Sequence, residues 1–331
     1  MHIARSTIGT CFLLAACAGQ AFSQVTPHPG FFRMQLGDDE IIALNDGVVS
    51  YPTSRVLPSA APEAIARGLS ANALTDPVGM SYNAFLVRTP TRVVLIDTGT
   101  GGKLDDDPGF HGCGHLMENL RAAGIRPEQI DDVLITHRGQ DHTGGLTTGV
   151  DGKQRTFPRA IVHVPKDEFS MVINPDETEP YINRARNKDF ARGWIDFTKS
   201  VFAPYISAGS LLAFDSDGTL APGIRALATH GHTPGHTSYV VESKGQTLIV
   251  MGDLVLVGAL QFDDPGLGSS FDSDPNAAAE QRRHILPLAA AKNYWIAGSH
   301  LPFPGIGQVE AAGAGFSFVP AGINAHSLPK R

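Results

Sequence analysis

The stretch "ITHRGQDHTGG" (135–145) places His137, Asp141 and His142 within six positions, directly behind an apolar run that begins in "DDVLITH" (131–137). A short apolar run that ends abruptly in imidazole and carboxylate groups reads as a buried strand emptying into a loop of metal-type ligands. Where a chain leaves a strand extended, alternate side chains face one way, so positions 137 and 139 address one point. Position 139 is glycine, which supplies no ligand. The stretch is therefore either an ion site with a side chain missing or a polar turn, and the residues around it must decide.

Outward from this point the chain alternates strands and helices. "EIIALNDGVV" (40–49), "NAFLVR" (83–88) and "RVVLIDTG" (92–99) are short β-rich runs bounded by Asp-Gly and Thr-Pro breaks. "HLMENLRAAGI" (115–125) spaces Leu116, Leu120 and Ala123 at helical intervals and stops at Gly124. Further on, "AIVHVP" (160–165), "GIRALATH" (223–230), "TSYVVES" (237–243), "QTLIVMGDLVLV" (246–257) and "YWIAGSH" (294–300) read as strands, and 178–204 as mostly helical. "DPNAAAEQRRHILPLAAAK" (274–292) is predicted to be a helix with Asp274 as N-cap and Pro275 at its first position. Strands outnumber helices in both halves, which predicts an α/β chain, in α+β four-layer form, with two sheets packed inside helical layers.

A chain of 331 residues, 42% of them hydrophobic, is long enough for one large core, expected here as a single domain over 39–331. The net charge of −7, without a Lys/Arg cluster, argues against nucleic acid as a partner. Thirteen histidines against three cysteines favour imidazole and carboxylate over thiolate as ligands. His2 and Arg5 precede a small and apolar run from Ile8 to Ala18, too short to span a membrane, so 1–23 is expected to be an export signal. Ala21-Phe22-Ser23 offers one cleavage site, and Leu14-Ala15-Ala16-Cys17 resembles a lipobox that would leave a lipid anchor on Cys17. The expected location is periplasmic or secreted. Residues 24–38 read as an extended N-terminal arm, and an arm that exchanged between subunits would give a homodimer.

Five separated segments put a ligand-type side chain just after a strand: His137 to His142, His232 in "THGHTPGHT", Asp253 in "MGDL", His300 in "GSHLP", and Asp97 in "IDTG". A lone histidine at a strand end is ordinarily a hydrogen-bonded structural group. A set collected on strand-end loops is where an α/β scaffold gathers function.

The order "TH-x-x-x-DH … GHTPGH … GD … H" resembles the metallo-β-lactamase superfamily, an αββα sandwich of two mixed sheets with a metal pair between them. "LGDDEIIALNDG", "ALATHGHTPGHTSYVVESKGQTLIVMGDLVLVGALQFDDP" and "SHLPFPGIG" are similar to its methyl parathion hydrolase-like and lactonase-like branch, whose members hydrolyse organophosphate triesters, lactones and aryl esters. The resemblance implies that His137 and His232 hold a first ion, that Asp141, His142 and His300 hold a second, and that Asp253 bridges them. It implies one or two divalent ions, zinc by default with iron or manganese as alternatives. Such an ion makes hydroxide available from water at neutral pH, with Asp141 or Asp253 accepting the proton. Asp97 is expected to orient a ligand histidine, and His236 to brace the "GHTPGH" turn.

The departure lies in the family's His-x-His-x-Asp-His pattern, where Gly139 replaces the second histidine. His111 and Cys113, in "FHGCGH" (110–115), are the candidate substitute ligands. The expected activity is an exported metal-dependent hydrolase acting on small neutral esters; no residue is assigned to substrate binding. The alternatives are a β-lactam hydrolase, a mononuclear-iron oxygenase of the persulfide dioxygenase type using His137, His232 and Asp253, and a non-catalytic binding protein with an impaired first site.

Overall fold

Period-2 alternation in the strands is what builds the layers. In β1 (Phe31–Leu36), Met34 and Leu36 are buried while Gln35 faces solvent. Over Ile41–Leu44 of β2 (Asp39–Tyr51) and Met80–Val87 of β3 (Val78–Arg88) both faces are buried, with Ala84 and Leu86 on one side of β3 and Phe85 and Val87 on the other. With β4 (Val93–Ile96), β5 (Asp132–Leu134), β6 (Ile161–Pro165) and β7 (Leu211–Phe214) they form a seven-stranded sheet in sequential order. Its pairs are antiparallel up to β4 and parallel beyond it.

A second seven-stranded sheet contains β8 (Gly218–Ala221), β9 (Ile224–Ala228), β10 (Thr237–Ser243), β11 (Gln246–Val250), β12 (Trp295–Ala297), β13 (Ile306–Ala312) and β14 (Gly315–Pro320). Only the β11–β12 pair is parallel. Phe85, Val94, Ile96 and Leu134 from the first sheet meet Tyr239, Val241, Leu248 and Val250 from the second in a common core. Leu116, Leu120, Val172, Val201 and Phe202, from helices α1 (Leu116–Ala122), α2 (Lys166–Ile173) and α3 (Lys188–Ser207), cover the outer face of the first sheet. Ile285, Leu286 and Ala289 of α4 (Pro275–Lys292) cover that of the second. The result is the helix–sheet–sheet–helix order that the strand count predicted.

These layers come from a computed structural model that describes residues 30–102, 112–149, 152–184, 188–215 and 217–322. The export-signal stretch, the start of the arm and His111 lie outside them. Among the described residues no helix is long and apolar enough to cross a membrane.

Three of the structure's departures from the sequence reading bear on the layers and the site. Phe31–Leu36 is an edge strand paired with β2, not an arm, because burying Met34 and Leu36 favours adding a strand over leaving it loose. The strand expected over 246–257 stops at Val250, where Gly252 turns the chain with φ +56. A Cβ at Gly252 would lie 2.7 Å from the His236 ring, so this turn requires glycine both for its φ and for the approach. The β13–β14 hairpin was not anticipated, since its Ala/Gly-rich sequence masks the alternation. The helix start, by contrast, follows the expectation: the Asp274 carboxylate accepts from the backbone N–H groups of Asn276 and Ala277 at 3.1 and 3.0 Å, a cap worth about 1 kcal/mol.

Candidate metal centre

Strand direction collects the candidate side chains. β9, β11 and β12 run parallel to one another across the second sheet, and β4 runs parallel to β5 in the first. Their C-terminal ends therefore lie on common edges, and the chain leaves them as the loops bearing His232, Asp253, His300, Asp97 and His137. Cross-links hold the two sheets in register here. Thr237 donates its backbone N–H to the Thr136 carbonyl at 3.0 Å, and the Tyr239 hydroxyl donates to the Ile135 carbonyl at 2.6 Å.

Two donor groups result. His137, His232 and Asp253 form one; Asp141, His142, Asp253 and His300 form the other; within each group the ligand atoms all lie within 4.8 Å of one another. Asp253 belongs to both. Its Oδ2 lies 3.0 Å from His300 Nε2, 3.3 Å from His232 Nε2 and 3.8 Å from His137 Nε2, and its Oδ1 lies 3.2 Å from His142 Nε2. Asp141 Oδ2 stands 3.4 Å from His142 Nε2 and 3.5 Å from His300 Nε2. All are buried except Asp141, whose side chain is 18% exposed.

The imidazoles face inward because each Nδ1 is engaged on the outside. His142 Nδ1 pairs with Asp97 Oδ2 at 2.7 Å, His232 Nδ1 with Asp272 Oδ1 at 3.0 Å, and His300 Nδ1 with the Ser81 carbonyl at 3.0 Å. The Thr136 hydroxyl donates to Asp97 Oδ2 at 2.8 Å and stands 3.1 Å from His137 Nδ1, so it accepts from that nitrogen. An outer acceptor on Nδ1 fixes the tautomer and leaves Nε2 as the free donor atom. Asp97 takes the orienting place expected of it. Asp272 had no signal in the sequence, where "DSDP" shows only the helix cap.

His236 points elsewhere. Its Nε2 accepts the Asp253 backbone N–H at 3.0 Å and its Nδ1 engages Thr229 at 2.9 and 3.1 Å, so it braces Asp253 from behind. Cys113 does not join either group. His115 N–H and Leu116 N–H bond Asp46, which draws the loop against β2 and packs Cys113 onto Val49 and Tyr82. Of the two candidate substitutes, His111 lies outside the described residues. Position 139 does face the site, since a Cβ on Gly139 would sit 2.7 Å from His137 Nε2 and 2.8 Å from His142 Cδ2.

The donor set suits a divalent cation. His142 Nε2 and Asp253 Oδ1 are buried 3.2 Å apart, and neither makes a well-formed hydrogen bond to the other or to any other group, an arrangement that a cation bound between the carboxylate and the neutral imidazole would relieve. Burial pulls the His142 and His300 imidazoles down, but Asp253 and Asp141 outweigh it and hold both above the ordinary value. The same imidazoles overcome burial at Asp253 and hold its carboxyl well below the carboxylate range. The cluster is thus a focus of attraction for positive charge.

Burial, reinforced by His232, lowers His236 to about 4. Its folded value lies below the ordinary one, so its stabilising effect is complete above about pH 6.5 and is lost as the pH falls towards 4. In chelator-treated protein, the stability advantage of wild type over His236→Gln is expected to shrink by about 2 kcal/mol between pH 7 and pH 5, since each pKa unit is worth about 1.4 kcal/mol. Urea unfolding at the two pH values measures it. A constant difference would show that this imidazole titrates as in solvent.

A family model of the metallo-beta-lactamase superfamily matches residues 78–300. Over 201 residues the chain is 27% identical to an atrochrysone carboxyl ACP thioesterase of Passalora fulva, covering 60% of this chain and 45% of that protein. Over 180 residues it is 26% identical to the N-acyl homoserine lactonase AttM of Agrobacterium fabrum, covering 47% and 58%. The chain thus spans about half the length of these two curated relatives. Among solved structures, hydrolase AbOPH of the beta lactamase superfamily aligns with a TM-score of 0.79 and 32% identity, over 88% of this chain and 97% of that one. AidC, described as a dizinc quorum-quenching lactonase, aligns with a TM-score of 0.76 and 26% identity over the same shares.

Proposed function

Because the chain belongs to the metallo-beta-lactamase superfamily, we propose that it is a metal-dependent hydrolase of small, neutral, largely apolar esters, with lactones and aryl esters foremost and phosphotriesters next. The observation that carries this is the placing of two donor groups, joined through Asp253, at the floor of a cavity of about 300 Å³. Tyr51, Tyr82, Tyr181, Trp194, Leu256 and Phe271 line its walls. Among its described lining residues Arg138 is the sole lysine or arginine, and Glu168 already pairs with it at 3.0 Å. No lysine or arginine of this lining is left over for an anionic substrate, and aromatic walls favour an apolar one.

His137 and His232, with Asp253, would hold one ion; Asp141, His142 and His300, with Asp253, would hold another. A divalent ion bound there supplies Lewis acidity and lowers the pKa of water towards neutrality. The chain's own contribution is orientation and proton handling. Asp272, Asp97 and Ser81 keep three imidazoles aimed inward. Asp141, the most exposed member of the centre and part of the cavity wall, is placed to receive a proton from water beside it. Asp253 is less suited to that task, because both of its oxygens face imidazoles.

Purified protein loaded with zinc should hydrolyse an N-acyl homoserine lactone, or a nitrophenyl ester of similar size, faster than it does a β-lactam. Chelation should abolish turnover and zinc should restore it. Metal-loaded protein that turns over only the β-lactam, or no ester at all, would sink this reading.

A further inference from the structure

Outside the donor groups, the least expected feature of the centre is a fully buried carboxylate, Glu168 of α2, bonded to both of the loops that carry His137 and His232. Its Oε2 accepts from the Arg138 backbone N–H and from Arg138 Nη1, each at 3.0 Å. Its Oε1 accepts from the Gly235 backbone N–H at 2.8 Å. Arg138 follows His137 directly, and Gly235 lies in the turn that begins at His232. A Cβ on Gly235 would come within 2.8 Å of the Glu168 backbone nitrogen and 3.0 Å of Oε1, so the approach depends on glycine. Tyr181 covers the Arg138 guanidinium, whose Cζ lies 4.9 Å from the ring centroid.

A buried ion pair seldom stabilises a fold by itself, because desolvation cancels most of the attraction; where one is retained, fixing a specific arrangement is its best-attested use. The arrangement at stake here is the separation of two loops. The four-donor group draws Asp141 and His142 from one loop and is closed by Asp253 and His300. The three-donor group has one imidazole on each of two loops and glycine at position 139, so fewer side chains determine its geometry.

We propose that Glu168 is a positioning residue, a crosslink built into the protein that fixes the His137 and His232 loops relative to each other and to α2. The ion affinity that follows from it rests on the metal reading above; the crosslink itself does not. Glu168→Gln keeps the size of the side chain and removes the charge that faces Arg138. In metal-free protein, hydrogen exchange of the amides at 138–142 and 231–237 is expected to quicken at least about tenfold, with β11 unchanged. In zinc titration against a competing chelator, the weaker binding step should weaken about 10- to 100-fold, the range typical for groups that orient ligands. The tighter step should stay within about threefold.

Because Glu168→Gln strands a buried guanidinium, the double variant Arg138→Met with Glu168→Leu serves as a second test, leaving no uncompensated charge. It leaves the Arg138 and Gly235 backbone N–H groups without an acceptor, so it should melt below the wild type, yet in one cooperative transition, and still show loosening confined to the two loops and the weaker step. Faster exchange spread evenly over the chain, or loops as protected as in wild type, overturns the crosslink. Loosened loops with both zinc steps unchanged overturn its role in ion affinity. A wild type that binds no divalent ion overturns the metal reading alone, while loop exchange still decides the crosslink.

Discussion

Asp253→Asn is expected to empty both donor groups and to lower ester hydrolysis by about 10³-fold, because the several kcal/mol of charge stabilisation a bound ion supplies correspond to about that factor. The substitution changes little in shape and much in chemistry. In the wild type one carboxylate stands within 3.0–3.8 Å of four imidazole Nε2 atoms. A carboxamide carries no charge and turns an N–H₂ towards nitrogens whose lone pairs already point inward. The loss should register as zinc content after gel filtration, below a tenth of wild type, alongside the kinetics. The apo fold should survive, since removing one charge from a cluster of mixed charges leaves the three cores intact. Zinc retained at the wild-type level, with activity within tenfold, would show that Asp253 is not the shared member of the centre.

The second large effect concerns Gly139. Its φ of −51 is open to any residue, so the constraint there is space. A methyl group at 139 would meet His137 Nε2 at 2.7 Å, His142 Cδ2 at 2.8 Å and Asp141 Oδ1 at 3.0 Å. Gly139→Ala should therefore push the rings apart and cost about 1–3 kcal/mol of ion affinity, the usual penalty of overpacking, which corresponds to roughly 5- to 150-fold weaker binding of the ion. Gly139→His carries the same Cβ but adds an imidazole aimed at the same point. Comparing it with the alanine variant, not with glycine, separates the donor from the crowding. The histidine variant is expected to bind zinc at least about tenfold more tightly than the alanine variant, as one further ligand implies. Equal affinities in chelator competition would mean that the site has no use for a ligand from this position.

Much of this centre was legible in the residue order. His137, Asp141, His142, His232, Asp253 and His300 each follow an apolar strand, and strand direction brings such ends together whatever the loops do. Asp97 was legible for the same reason, since it ends β4 beside β5. Gly139 could be recognised as a departure, but not weighed, because crowding at its Cβ depends on ring positions that three other residues set. Whether Cys113, a candidate substitute ligand, reaches the centre turns on tertiary contacts for a related reason. Its neighbours in sequence make a ligand loop one candidate, whereas Asp46, seventy positions from Leu116, ties that loop to β2. Asp272 and Glu168 left no trace at all, because an acid in a polar stretch looks the same whether it meets water or an imidazole.

The sequence by itself therefore determined the layers and the donor set, because the alternation of apolar residues and the chemistry of side chains at strand ends are local properties. Only the tertiary structure decided how far each donor stands from Asp253, that Asp272 and the Ser81 carbonyl aim two of the imidazoles, and that Glu168 bonds both the His137 and the His232 loops. Those are distances between segments far apart in the chain, and they exist only once the two sheets have closed on their common core.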